Sequence, residues 1–273
     1  MNKIGIIGYG NMGSAIAESI AAQYDILVFD KDKTKAVKGP EIKAAADIRG
    51  LVNKSEALIL AVKPQDFEHA LKELRGCLRS QLVISIAAGI TTKHIEKVLG
   101  KVRVIRVMPN LAAKIRESVT CLSRGAFASE DDLIFSQDLF SYLGVTRVVE
   151  ENMMNAVTAI SGSGPGYVFD FIDSNQIDPL NIPEHTRHDL MKRLERAGEA
   201  VGFNREDAAF LAAGTVNASL SVLRITKIAP GELAKQVASK GGTTEAALKV
   251  LHAQGTWEEA AQAALKRAGE LAK

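Results

Sequence analysis

Short, continuous runs of β-branched and other apolar residues recur through the first half of the chain: residues 3–8 (KIGIIG), 26–30 (ILVFD), 57–62 (ALILAV), 82–87 (LVISIA), 102–107 (VRVIRV) and 145–150 (VTRVVE). Amphipathic stretches separate them. A strand that is apolar at every position is buried on both faces, and the helices between supply the cover, so the pattern predicts a parallel sheet wound on both sides. After about residue 151 the runs stop, and alanine-rich helical patterns follow at 204–224, 229–238, 243–253 and 256–272. The small residues Ala208, Ala212, Ala213 and Ala218 let helices approach closely, which suits a helical domain or a subunit interface. The expected architecture is α/β: a Rossmann-type doubly wound parallel sheet over residues 1–150, then an all-helical domain over residues 151–273.

Charge narrows the partners. Against 34 Lys and Arg stand 32 Asp and Glu, a net +2 with no long single-sign run, so neither nucleic acid nor an anionic membrane is expected as a partner. Cys77 and Cys121 are far apart and outside any C-x-x-C pair, which predicts reduced thiols rather than a metal or redox motif. The first strand begins at Lys3, leaving no room for a secretory signal, and no apolar run reads as long enough to span a bilayer. A soluble cytoplasmic protein is the expectation.

The first strand ends in IGIIGYGNMG, which places Gly8, Gly10 and Gly13 in G-x-G-x-x-G spacing at a strand-to-helix turn. Gly8 permits the tight turn, Gly10 lets a pyrophosphate approach the backbone, and Gly13 lets the helix pack on the strand. Asp30, ending the second strand, would accept hydrogen bonds from the ribose hydroxyls of NAD and repel the extra phosphate of NADP. Lys31, Lys33 and Lys35 act in the opposite sense, so the choice between NAD and NADP stays open. Ligands of an open parallel sheet bind beyond the carboxyl ends of its strands, which directs the turns AVKPQ (61–65) and SIAAGI (85–90) toward the cofactor. Lys63 reads either as an active-site cation or as an ordinary surface lysine before the helix-starting Pro64.

SGSGPGY (161–167) has serine where a nucleophile elbow needs its first glycine, and its context is helical, so it reads as a glycine-rich break that lets backbone pack closely around a site. His69, His94 and His252 stand isolated and read as surface or helix-side residues. His185 and His188, with Glu184 and Asp189, have metal-compatible spacing without a further ligand, and read as part of a polar loop. They lie in residues 174–193, a polar stretch holding Pro179 and Pro183 that interrupts the helical texture and predicts an exposed excursion. SKGGTTEAAL (239–248) opens a helix. Thr243 or Thr244 would serve there as its cap, with Glu245 in the first turn; alternatively the glycines and Ser239 form a nest of donors for a small carboxylate.

Together IGIIGYGNMG, AVKPQ, ISIAAGI, RVMPN, AVTAISGSGPGYVF and PGELAKQVASKGGTTEAALKVL give the chain a close resemblance to the pyrroline-5-carboxylate reductase family. The run from Pro230 to Leu251 resembles that family's C-terminal signature. The resemblance implies hydride transfer from NADPH or NADH to the C=N bond of 1-pyrroline-5-carboxylate, giving proline. It also implies a homodimer, or a ring of dimers, built through the helical domain.

By motif position the resemblance puts Ile7, Gly8, Tyr9, Gly10, Asn11, Met12 and Gly13 against the cofactor, with Asp30, Lys31, Ala61, Val62, Lys63, Pro64, Ile86, Ala87, Ala88 and Gln236. The substrate falls to Ser239, Gly241, Gly242, Thr243, Thr244 and Glu151. Thr244 is implied to touch the substrate nitrogen, as donor or as a relay from water, and Ser239 and Lys63 complete the implied catalytic set. Lys240, Asn155 and Ile48 depart from residues usual in that family. A related cyclic-imine or β-hydroxyacid reductase, or a non-catalytic cofactor-sensing relative, is the alternative.

Overall fold

The computed structural model describes residues 1–32, 34–35 and 41–272. Lys33 lies outside the described residues. Contacts divide the chain into two compact units, one of Met1–Met108 with Cys121–Glu151, the other of Pro109–Thr120 with Asn152–Ala272.

The first unit is built on strands β1 (Lys3–Ile7), β2 (Asp25–Phe29), β3 (Ile42–Ala44), β4 (Ala57–Leu60), β5 (Leu82–Ser85), β6 (Arg103–Met108), β7 (Ser118–Arg124) and β8 (Gly144–Val148). Their spatial order is β3-β2-β1-β4-β5-β6-β7-β8. Ile4 of β1 pairs with Ile26 of β2 on one side and Ala57 of β4 on the other, so the strand order reverses at the carboxyl end of β1. Crossings are made by helices α1 (Asn11–Ile20), α2 (Ile48–Lys54), α3 (Pro64–Leu74) and α4 (Thr92–Leu99), with α5 (Glu130–Ser141) after β7. Strands β4 and β5 are buried at every position, the condition a doubly covered sheet imposes. Ile48 opens α2 as a core residue, only 4% exposed.

The sheet departs from a wholly parallel one at β7, which runs antiparallel to β6, with Ile105 opposite Arg124 and Met108 opposite Cys121. The β6–β7 connection holds only a 3-10 turn, Leu111–Ile115, too short for a parallel crossover. Sequence pattern missed β7 because serine and threonine alternate through it. Those residues are nevertheless buried, with Ser118 and Thr120 hydroxyls 3.0 Å apart and Ser123 bound to Glu151 at 2.9 Å.

In the helical unit, α6 (Met154–Val157) leads through a π turn, Thr158–Gly162, into α7 (Gly164–Ser174). Helices α8 (Glu184–Ala200), α9 (Arg205–Thr226), α10 (Pro230–Val237), α11 (Thr243–His252) and α12 (Trp257–Leu271) follow. The stretch Pro109–Thr120 packs with these helices: Ser161 Oγ donates to the Val119 carbonyl at 3.0 Å, and a Cβ on Gly214 would fall 2.5 Å from Val119 Cγ2.

Three sequence expectations are corrected here. The polar stretch 174–193 is an exposed excursion only up to Pro183; from Glu184 it is the first part of α8, with Thr186 and Leu190 buried. His185 and His188 therefore stand exposed on a helix rather than in a loop. Helix α9 is long and apolar enough, at mean hydropathy 1.4, to cross a bilayer by length and composition. Half of its most apolar 18-residue window is buried, and Ala208, Leu211, Val216 and Leu223 are buried core residues of the helix, so core packing accounts for its apolarity. The other histidines lie on helices, as their sequence reading has it, and each meets a carboxylate: His69 meets Glu73 at 2.9 Å, His94 meets Glu68 at 2.8 Å, and His252 meets Asp170 at 2.8 Å.

Candidate active site

Two helices have glycine as the residue just before their first turn and no side-chain cap: α1 behind Gly10 in the sheet unit, and α11 behind Gly242 in the helical unit. The first N–H groups of any helix lack intrahelical partners, so an uncapped start presents donors at the positive end of the helix dipole.

At α1 each glycine has a separate cause. Gly8 adopts φ +101°, and a Cβ there would fall 2.5 Å from the Ala61 carbonyl oxygen. A Cβ on Gly13 would fall 2.0 Å from the Gly8 oxygen, whereas one on Gly10 would meet nothing within 4 Å. The first two thus lock β1, β4 and α1 together, and Gly10 keeps the approach open. Ile7 is buried, Asn11 exposed and Met12 half-buried around this turn. Ala61 and Val62 follow β4, and the Ile86 N–H donates to the Leu60 carbonyl at 3.2 Å, so the turns after β1, β4 and β5 lie side by side. Ala87 is buried there and Ala88 exposed. Pro64 opens α3, and Lys63 is exposed before it with no ion pair among the described residues.

Asp30 does not stand free to meet a ribose. Its Oδ2 accepts from the Tyr9 N–H at 2.7 Å and from Lys35 Nζ at 2.6 Å, and its Oδ1 accepts from the Asp32 N–H at 2.9 Å. Burial alone would raise its pKa, but the hydrogen bonds from Lys35, Asp32 and Tyr9 outweigh that and hold the carboxyl below its usual range. The ionised carboxylate pins the glycine loop, and Lys35 offsets the charge that would repel a 2′-phosphate. Lys31 pairs with Asp66 at 2.6 Å instead. Beside this group a cleft of about 60 Å³ is lined by Tyr9, Val28, Asp30, Asp32, Lys35 and Ala45.

At α11 the loop is held differently. Gly241 adopts φ +70°, its carbonyl accepts from Arg267 Nε at 2.7 Å, and its N–H donates to Glu245 Oε2. The Gly241 N–H, and after it Lys249, keep the Glu245 carboxyl below the ordinary range. The Gly242 N–H donates to the Ser239 carbonyl at 2.9 Å, and a Cβ on Gly242 would fall 2.4 Å from Ser239 Oγ. Ser239, Lys240 and Gln236 are exposed. Neither Thr243 nor Thr244 caps the helix, contrary to the capping reading: both lie inside its first turn and turn their hydroxyls to Ser163.

Sequence reasoning did not single out Ser163 or Arg267. The Thr244 hydroxyl, on a residue only 4% exposed, donates to Ser163 Oγ at 3.0 Å, and Ser163 Oγ lies 2.9 Å from Thr243 Oγ1. A Cβ on Gly166 would fall 2.5 Å from Thr244 Cγ2. SGSGPGY is therefore the wall against which the threonines sit. Its π turn supplies the offset, because the Ser163 N–H donates to the Thr158 carbonyl at 2.8 Å, five residues back.

Glu151 is engaged within the sheet unit. Its Oε1 accepts from Arg106 Nη1 at 3.0 Å and the Thr92 N–H at 3.2 Å, and its Oε2 accepts from Ser123 Oγ at 2.9 Å. Arg106 has only 3% of its side chain exposed, and the carboxylate compensates its charge while tying β6, β7 and the start of α4.

Comparison with known proteins now bears on both helix starts. Residues 3–89 match the family model described as NADP oxidoreductase coenzyme F420-dependent, and residues 189–271 match that for pyrroline-5-carboxylate reductase dimerisation. Pyrroline-5-carboxylate reductase 2 of Bacillus subtilis is 34% identical over 271 residues, covering 95% of this chain and 90% of that one. The chain belongs to the pyrroline-5-carboxylate reductase family. Among solved structures, a pyrroline-5-carboxylate reductase from Coxiella burnetii is similar with a TM-score of 0.65 at 32% identity, covering 99% of this chain and 98% of that one. The Plasmodium falciparum pyrroline carboxylate reductase, solved with NADP bound, gives a TM-score of 0.65 at 25% identity, covering 100% and 98%. Family membership thus spans the glycine loop, the SGSGPGY wall and the α11 mouth.

Proposed function

We propose that the chain is a pyrroline-5-carboxylate reductase in activity as well as family, reducing the C=N bond of 1-pyrroline-5-carboxylate to L-proline, the last step of proline biosynthesis, with NADPH or NADH. It would act in the cytoplasm as a homodimer or a ring of dimers. The sheet unit takes the cofactor and the helical unit takes substrate and dimer partner.

The nicotinamide supplies the hydride; the protein supplies position and charge. Gly10 gives the pyrophosphate open access to the start of α1, and the Gly8–Ala61 contact fixes the turn that receives it. With Lys35 on Asp30, the ribose end tolerates a 2′-phosphate, so both nicotinamide cofactors are accepted. Lys63 remains a cation at the cofactor edge.

The observation that carries the substrate assignment is the α11 start. It leaves main-chain donors at Thr243, Thr244 and Glu245 uncapped for a carboxylate, with the Ser239 hydroxyl beside the loop and the Thr244 hydroxyl one turn in. A carboxylate seated there positions the ring nitrogen toward Thr244, and positioning accounts for most of the rate gain. Initial rates with NADPH and with NADH on pyrroline-5-carboxylate test this. Turnover with at least one is expected, and oxidation of neither would overturn the assignment.

A further inference from the structure

A helix that starts uncapped has to be kept from starting sooner. Each helical N–H meets the carbonyl four residues back, and in α11 the Ala246 N–H meets the Gly242 carbonyl at 3.2 Å. One residue earlier, the same rule would pair the Glu245 N–H with the Gly241 carbonyl, lengthening α11 and removing a donor from its mouth. Gly242 does not forbid this. It stands extended, at φ −86° and ψ 178°, but glycine also reaches the helical conformation. What forbids it is the direction of the Gly241 carbonyl, whose oxygen accepts from Arg267 Nε at 2.7 Å, on α12. The guanidinium is steadied in turn by Glu270, whose Oε2 accepts from Nη1 at 2.9 Å. Two further bonds shape the same turn: the Gly242 N–H donates to the Ser239 carbonyl at 2.9 Å, and the Gly241 N–H donates to Glu245 Oε2. Of these bonds the one from Arg267 holds the Gly241 carbonyl, and its charged donor makes it roughly twice as strong as a neutral one.

We propose that Arg267 is a positioning residue for the substrate: by turning the Gly241 carbonyl toward α12 it keeps the Glu245 N–H open, so that the main-chain donors of Thr243, Thr244 and Glu245 all remain for a carboxylate. This rests on the reading above that the α11 start receives the carboxylate of pyrroline-5-carboxylate. Without the guanidinium, the carbonyl swings over the mouth and takes the Glu245 N–H for itself. It then also sets an oxygen, with its partial negative charge, beside the place of the incoming anion. Arg267 therefore acts on binding, through the shape of one peptide unit, rather than on the hydride step.

Arg267→Met keeps an apolar stem and removes the donors. It is expected to raise the Kd for L-proline and the KM for pyrroline-5-carboxylate about 5- to 50-fold, with kcat lowered by less than about twofold and the NADPH Kd unchanged. Arg267→Lys, whose ammonium still donates, is expected to recover part of the lost affinity. Amide hydrogen exchange, measured without substrate, supplies a readout that a merely structural loss does not move in this direction. In Arg267→Met the Glu245 N–H, now bonded, is expected to exchange about tenfold more slowly than in the intact protein, whereas a loosened loop exchanges faster. Thermal melting and NADPH titration check that the variant is folded. Should Arg267→Met fail to fold, Arg267→Lys is expected to show both shifts in the same direction at smaller size, and neither shift there would overturn the proposal. An Arg267→Met protein with unchanged proline affinity would also overturn it, as would weakened affinity with a Glu245 N–H that exchanges as fast as before. Failure of the underlying substrate reading is distinct: Glu245 exchange would slow in the variant while the intact protein bound neither proline nor pyrroline-5-carboxylate.

Discussion

In the proposed reading the two glycine-started helices would solve the same problem, a place for negative charge, with different materials. At α1 the first turn carries no acidic residue, and the loop is fixed by backbone meeting backbone, Gly13 against Gly8 and Gly8 against Ala61, with one side chain, Asp30, on the Tyr9 N–H. At α11 the first turn carries Glu245, whose carboxylate already sits on the Gly241 N–H, and the loop is fixed by side chains, Arg267 on one face and Ser163 behind the threonines. The first is a rigid cradle for a group that every nicotinamide cofactor shares. At the second, the Gly241 N–H is already held by the protein's own acid, Glu245.

That contrast breaks most visibly at Gly13. Gly13→Ala forces a Cβ onto a backbone oxygen that cannot yield, so loss of about 3 kcal/mol of stability and of measurable NADPH binding is expected in thermal unfolding and titration. Thr244→Ala should act only at the second mouth, lowering kcat about 10- to 100-fold while the NADPH Kd stays put, as stopped-flow and fluorescence titration would report. An altered Kd would show the two starts to be less independent than their construction implies.

Gly241→Ala is milder, because its Cβ would meet nothing closer than Arg267 at 3.5 Å and the cost is purely the left-handed backbone. About 1–2 kcal/mol is expected there, read as a KM for pyrroline-5-carboxylate raised about 5- to 30-fold with kcat nearly unchanged. The smallest effect is at Glu245. Because its carboxyl is depressed in the folded protein, the tie to Gly241 is whole above the ordinary carboxylate range and is lost as pH falls through the depressed value. Amide exchange at Gly241 should therefore lose protection on acidification in the intact protein and lack it at every pH in Glu245→Gln.

Legibility in the sequence follows the same divide. The glycine loop is readable because its parts are local: a strand, a turn and a helix in succession, with Asp30 closing the next strand. Strand positions followed from apolar runs wherever strands are doubly covered, and the reading failed at β7, whose buried serines and threonines are satisfied by partners no pattern displays. The α11 start was visible as glycines and threonines, yet its chemistry was not. Ser163 is 81 residues from Thr244, and Arg267 is 26 from Gly241. Likewise, Glu151 is 45 residues from Arg106, and only the fold shows that the acid neutralises a buried guanidinium. Residues 174–193 misled because two prolines and many charges describe a loop, while Thr186 and Leu190 on α8 carry the burial that makes half of it helix.

The Arg267 grip on the Gly241 carbonyl also sets an order of assembly during synthesis. Every residue that shapes the α1 cradle, from Gly8 to Ala61, is joined to the chain before a quarter of it is made, whereas the α11 loop stays unclasped until α12 has emerged and coiled. A nascent chain could thus hold dinucleotide long before it could recognise an amino acid.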